Sequence, residues 1–379
     1  MPPRCQGRWF PWSLGSNSGY KKLVGEHQGQ APSRDLDISR VAAGHNCANL
    51  IHADPAIVLG WTGRQFRFGS ASALAPLFRR RRLVFLLIAK GSVVDDGEAD
   101  ELAADAHAFM ATYPLHRYEW LCNIDAETEQ LCRRGLSAHT HNQNIFLRED
   151  VFQPIPGAPV LFDAIYNGRV SPEKRNELAA EIERVLFVTY RDPGEHSVEA
   201  FHAACAELRR RVPGGLLLNP LTDEGAGRLS AQQINQAYAI AGVGLCLSPR
   251  EGAMRVAVEY QLAGLPIVAT PCRGGRDHYL DSETWALVPP DPGAVRAAVD
   301  AQLRRRLPRG WVRNRVLQRM QADRERFVDF VGAIIAEEGG AGTFQPTFER
   351  LLRQDLFERW LSMRDFAAET WVALGGDLA

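Results

Sequence analysis

The run from Val243 to Thr270 constrains the fold more than any other part of the chain. Val243-Gly244-Leu245-Cys246-Leu247 is a short apolar run that reads as a buried strand. Ser248 to Gly252 follows as a turn, with Pro249 and Gly252 as breakers. From about Ala253 the pattern suits a helix, which Gly264 ends. Pro266 then opens Ile267-Val268-Ala269, a second buried strand. Strand, turn, helix and strand in that order make a unit of parallel sheet, and parallel sheets belong to α/β folds.

The turn carries the chemistry. A helix N-terminus presents unpaired N–H groups and a partial positive charge, so it favours phosphate. Gly252 has no side chain, so a ligand can approach the backbone there. Glu251 stands at the mouth of the turn, and Glu259 lies about two helical turns further on. Two carboxylates beside a phosphate-binding helix start suit hydroxyl groups, as on a ribose or a hexose. The competing reading is a solvated helix with ordinary glutamates.

A second ligand-facing loop is legible upstream. Val160 to Tyr166 reads as a strand, and a helix is expected from about Glu173 to Glu183, with Ser171 as N-cap and Pro172 at its first position. Arg169 and Lys174 then share one strand-to-helix loop, at the carboxyl edge of the sheet where such folds bind ligands. A bidentate Arg and a point-charge Lys are what a leaving diphosphate needs when no metal is present. Further strands are expected at 185–190, 215–219 and 284–288, with helices at about 197–211, 230–241 and 293–305. In the first half, strands are expected at 56–59, 83–89 and 118–123, and helices at 98–110 and 126–134. An amphipathic helix is expected from Phe344 to Trp360.

Composition narrows the classes. A net charge of −1 argues against a nucleic-acid partner held by bulk electrostatics. The seven cysteines are scattered with no CxxC pair, against a disulfide framework or a zinc site, so a reducing cytoplasm is expected. His139 and His141 lack a third nearby ligand, so no metal site is expected. No apolar run approaches the roughly 18–20 residues that span a bilayer. Arg4 and Arg8 precede no apolar stretch, so no secretory signal is expected. Arg79-Arg80-Arg81-Arg82 reads first as a basic helix end. It also leaves open a peripheral contact of the first domain with an anionic membrane, at its inner face.

Glu251, seven intervening residues, Glu259 and then Ala263-Gly264-Leu265-Pro266-Ile267-Val268-Ala269-Thr270 resemble the donor-site signature of the GT-B retaining glycosyltransferases of glycosyltransferase family 4. Arg169 and Lys174 resemble the family's second donor motif, in the right order ahead of the glutamate pair. The resemblance covers roughly residues 160–300. It implies two Rossmann-like doubly wound parallel-sheet domains facing a cleft, with a C-terminal helix crossing back to the first domain. The Pro154 to Pro159 cluster suggests the hinge, giving an acceptor domain over 1–157, a donor domain over 158–335 and a terminal helical segment over 336–379.

The resemblance implies a glycosyltransferase that moves a sugar from a nucleotide-diphosphate sugar, without a metal cofactor. It assigns the donor sugar to Glu251, the ribose to Glu259 and the diphosphate to Arg169 and Lys174. Gly168, Gly252, Ala253 and Met254 would line the donor through their backbone, Leu221 would stand near the base, and Gly274 and Gly275 would border the sugar. On the acceptor side it points to the glycine-rich loop from Gly15 to Gly19, and to Lys90, which stands where many relatives have a histidine. Glycan, lipid, protein and small-molecule acceptors all stay open. Two other readings keep the fold: a nucleotide-sugar epimerase, hydrolase or phosphorylase, and a non-catalytic nucleotide-sugar-binding subunit.

Overall fold

The computed structural model describes residues 41, 44–63, 67–89, 91–192, 196–354, 356 and 360–375. Gly15, Gly19 and Lys90 lie outside the described residues. The chain divides into two units, one running from Leu147 to Asp323 and the other taking the residues on either side. The divisions fall at 146/147 and 323/324, against 157/158 and 335/336 in the sequence reading. The second lies within a continuous helix, Arg309–Glu337, where no change of composition marks it.

Unit 1 is built on strands β1 (His45–Ala53), β2 (Ala56–Trp61), β3 (Val84–Ile88), β4 (Arg117–Cys122), β5 (Ala138–Thr140) and β14 (Trp360–Ser362), in the order β14-β1-β2-β3-β4-β5. β2 to β5 are parallel. β1 runs against both of its neighbours. The sequence reading did not separate β1 from its surroundings. Ala48, Leu50 and Ile51 are all buried, so the strand shows no alternation to read. β3 is buried at all five positions, as a central parallel strand requires.

The helices of this unit begin with α1 (Ala71–Leu74), α2 (Asp96–Thr112) and α3 (Asp125–Cys132). The helix expected over 344–360 is shorter: it covers Gln345–Leu352, and Trp360 opens β14 instead. That strand pairs with β1, so its residues serve the sheet rather than a helix face. The last helix, Met363–Ala373, puts Phe366, Ala367 and Trp371 into the core beside Leu50, Val58, Phe85 and Trp120. The Trp371 ring lies 5.6 Å from that of Phe78.

Arg82 holds Glu338 through two bonds of 2.6 and 3.0 Å, and Arg81 donates to the carbonyls of Ala53 and Leu374. His139 Nε2 donates to the Glu119 carboxylate at 2.9 Å, and His141 packs on Phe327 and Phe330. Among the described residues no helix is long and apolar enough to cross a membrane.

Unit 2 carries strands β6 (Phe162–Asn167), β7 (Val185–Val188), β8 (Gly215–Leu217), β11 (Ala241–Cys246), β12 (Ile267–Ala269) and β13 (Trp285–Leu287), all parallel, in the order β13-β12-β11-β6-β7-β8. A two-stranded hairpin of β9 (Leu221–Thr222) and β10 (Gly225–Ala226) follows β8. Its helices are α4 (Val198–Arg211), α5 (Ala231–Ala239), α6 (Arg255–Leu262) and α7 (Pro292–Arg305). Their starts are chemically marked. Ser197 caps α4, Ser230 and Gln233 form a capping box at α5, and Asp291 with Pro292 opens α7. Tyr166, Phe187, Phe201, Val243, Val268 and Val299 fill the core on one side of the sheet.

Counted along unit 2, its six strands lie in the order 3-2-1-4-5-6, the doubly wound order. Chain direction across the sheet reverses between β6 and β11, and ligands of such sheets bind outside the carboxyl ends of the strands at that point.

Candidate functional site

The two strands at the switch point deliver the residues singled out in the sequence. β6 ends at Asn167 and leads to Gly168, Arg169 and Lys174, while β11 ends at Cys246 and leads to Glu251. The helix expected over 173–183 does not form. Two 3₁₀ turns, Pro172–Lys174 and Asn176–Ala179, are separated by Arg175 in the left-handed region at φ 48°. The buried Tyr166 hydroxyl donates to the Lys174 carbonyl at 2.8 Å, and Leu178 takes the Arg175 carbonyl instead, which closes a tighter turn.

This turn brings the Lys174 ammonium onto a carboxylate oxygen of Glu251, with both side chains only 14 % exposed. Arg169 sits on the same loop and pairs with Asp192, just past β7, at 3.3 Å. Gly168 lies against the Tyr166 ring, where a Cβ would stand 3.0 Å from Cε1.

The Glu251 turn is held by backbone bonds to the exit of β12. Glu251 N–H donates to the Arg273 carbonyl at 3.0 Å, and Arg273 N–H donates to the Pro249 carbonyl at 2.9 Å. Gly274 and Gly275 follow directly, Gly274 at φ 106°, so the structure brings them beside Glu251. α6 begins at Arg255 rather than Ala253. Met254 is its N-cap in the left-handed region at φ 41°, a conformation that cannot continue into the first helical turn. Ala253 is buried and Gly252 precedes it in the turn.

Glu259 lies on α6. It is 6 % exposed and accepts from the Tyr238 hydroxyl at 2.8 Å. Tyr238 in turn accepts from Asn167 Nδ2 at 2.6 Å, and Asn167 N–H donates to the Tyr260 hydroxyl at 2.7 Å. Arg255 approaches the other oxygen of Glu259 at 3.9 Å. Burial, followed by the nearby Glu259 charge, pushes the Tyr238 phenol well above its usual range, so it stays a donor. This chain runs beneath the switch point and fixes where β6 and α6 meet. Sequence reasoning missed Asn167, Tyr238 and Tyr260, because the bonds that join Asn167 to the two tyrosines span 71 and 93 residues.

Leu221 lies half-buried on β9, at the exit of β8. Asn219 ties that exit to its neighbour: its amide accepts from Thr189 N–H at 3.1 Å and donates to the carbonyls of Thr189 and Gly227. Five consecutive strand exits thus carry Arg169 and Lys174, Asp192, Leu221, Glu251, and Gly274 with Gly275. Among the described residues, no group of three or more His, Cys, Asp or Glu side chains could hold a metal ion.

Residues 223–305 match the family model described as Glycosyl transferases group 1. The match takes in Glu251, Glu259, Gly274 and Gly275 and leaves out Arg169 and Lys174. No curated protein matches the chain. Among solved structures it is similar to Anabaena HepE in complex with UDP, at 14% identity over 67% of this chain and 73% of that one, with a TM-score of 0.48. It is also similar to an alpha,alpha-trehalose-phosphate synthase (UDP-forming) from Burkholderia vietnamiensis, at 14% identity over 74% of each chain and a TM-score of 0.49. A sucrose-phosphate synthase from Thermosynechococcus elongatus is 16% identical over 71% of this chain and 92% of that one, with a TM-score of 0.39.

Proposed function

We propose that the group 1 glycosyl transferase domain serves a GT-B enzyme that transfers a sugar from a nucleotide-diphosphate sugar with retention of configuration. The meeting of Lys174 with Glu251 at the switch point of a doubly wound sheet, with Arg169 on the same loop, carries this reading. Diphosphate, sugar and ribose need a cation, a carboxylate and a second carboxylate in that order, and Lys174, Glu251 and Glu259 supply them.

Arg169 and Lys174 meet the charge that grows on the leaving diphosphate, together with the N–H groups at the start of α6. Glu251 orients the sugar hydroxyls, and Glu259 accepts from the ribose. Gly168, Gly252, Ala253 and Met254 border the donor through their backbone, Leu221 stands near the base, and Gly274 and Gly275 near the sugar. The bond from C1 to the phosphate oxygen breaks while the bond from C1 to the acceptor oxygen forms on the same face. The leaving phosphate takes the acceptor proton, so no protein nucleophile and no metal are required. Unit 1 binds the acceptor.

Melting temperatures measured with UDP, GDP, ADP and their sugar conjugates test this. A ligand that binds only the folded state raises the melting temperature by mass action. One base should give a clear shift in the wild type and none in Arg169→Ala. An intact protein that responds to none of these compounds overturns the reading.

A further inference from the structure

Arg276 is 1% exposed, although it is an arginine near the ligand edge of the sheet. It lies in the 3₁₀ turn Gly275–Tyr279, directly after the two glycines. Its guanidinium donates to the carbonyls of Cys246 at 3.0 Å, Ser248 at 3.4 Å and Thr270 at 2.8 Å, and its Nε donates to Asp277 at 2.5 Å. Cys246 ends β11, Ser248 starts the Glu251 turn, and Thr270 follows β12. One buried fork therefore fastens the two strand exits that lead to Glu251 and to Gly274 and Gly275. The backbone bonds between Glu251 and Arg273 join the same exits a few residues further on, and the Thr270 hydroxyl adds a bond to the Leu247 carbonyl.

A buried guanidinium is an expensive way to fill a core, and apolar residues of similar volume commonly do as well. What it adds is direction. Its planar fork holds several acceptors at fixed angles, which a lysine cannot do. Every acceptor it holds belongs to the β11 exit, the β12 exit or its own turn. Neither Arg169 nor Lys174, on the β6 exit, is among them.

We infer that Arg276 is a positioning residue for the sugar half of the donor, setting the Glu251 turn and the Gly274–Gly275 turn against each other, while the β6 loop that carries Arg169 and Lys174 takes no bond from it. This rests on the donor-site reading above. It separates two quantities that a merely structural arginine would leave coupled: affinity for the nucleotide diphosphate, and the further affinity gained when the sugar is attached.

The test measures dissociation constants of wild type, Arg276→Lys and Arg276→Met for the responding nucleotide diphosphate and for its sugar conjugate, by calorimetry on the full chain. Both variants should lose clearly less affinity for the bare diphosphate than for the sugar, whose added gain falls by about tenfold, the scale of one lost, well-oriented polar contact. Asp277→Asn leaves the guanidinium in place and removes only its charged neighbour, so it keeps the comparison open if Arg276→Met does not fold. A smaller loss confined to the sugar is expected there. Folded variants that lose both affinities in parallel, or neither, overturn this inference alone. A wild type that binds none of the nucleotides overturns the donor reading and this inference with it.

Discussion

Lys174 and Glu251, 77 residues apart in the chain, form an ion pair with each side chain 14 % exposed. They meet because β6 and β11 are neighbours in the sheet and each ends in a turn on the same edge. Partial burial makes such a pair sensitive to losing one member. Lys174→Met and Glu251→Gln should each destabilise the ligand-free protein. The double variant should be less destabilised than their sum, with a coupling of about 1 kcal/mol. Urea unfolding of the four proteins measures it, and additive effects would mean that the contact has no thermodynamic weight.

Glu259 accepts from a buried tyrosine, so its removal should strand the Tyr238 hydroxyl. Glu259→Ala should cost about 1–3 kcal/mol in unfolding free energy, the usual penalty for a buried donor left unpaired. Glu259→Gln keeps an oxygen in place and should cost less. If both variants also lose nucleotide binding while Tyr238→Phe keeps it, the carboxylate itself touches the ligand.

Met254 holds a left-handed conformation that a residue with a Cβ adopts at a cost. Met254→Gly should leave the fold unchanged and shift its stability by no more than about 1 kcal/mol, since the relieved strain is offset by a more flexible unfolded chain. Met254→Val, branched at Cβ, should destabilise clearly. Equal melting temperatures for the glycine and valine variants would show that the conformation carries no strain.

Acid should weaken unit 1 through Glu119, which is 3 % exposed. Burial would raise its carboxyl, but bonds from His139, Ser137 and Arg117 outweigh that and hold it below the ordinary value of 4.5. A carboxyl lowered by folding stabilises above its unfolded value, and that stability is lost as pH falls through the folded value. Wild type should therefore lose stability below about pH 4.5 more steeply than Glu119→Gln. Parallel acid limbs in a denaturation series would rule the carboxylate out as the cause.

The sheet of unit 2 was legible because its buried strands are continuous apolar runs punctuated by Gly and Pro. Val243–Leu247 and Ile267–Ala269 are of this kind, and Gly264 does close α6 in the left-handed region at φ 82°. The 173–183 segment was misread because propensity favours a helix there, while a tyrosine hydroxyl from β6 captures the Lys174 carbonyl. The long helix Arg309–Glu337 was missed, and its charged residues find partners that local spacing does not encode: Arg313 donates to the carbonyls of Glu149 and Phe152, and Arg315 pairs with Asp281. The candidate site divides in the same way. Arg169, Lys174 and Glu251 announce themselves by residue type beside a strand end. Asp192, Tyr238 and Arg276 act through tertiary partners and leave no pattern in the sequence.

The pairing of β14 with β1 has a consequence for synthesis. Unit 2 is contiguous from Leu147 to Asp323, so a ribosome has delivered all of it before the residues that complete unit 1 exist. Strand β1 emerges early and waits, one edge unpaired, for Trp360–Ser362 to arrive some three hundred residues later. Helix Met363–Ala373, which fills the core behind it, arrives later still. Until β14 arrives, that edge of β1 has no strand of its own to pair with, and an unpaired edge is where a misplaced strand can add.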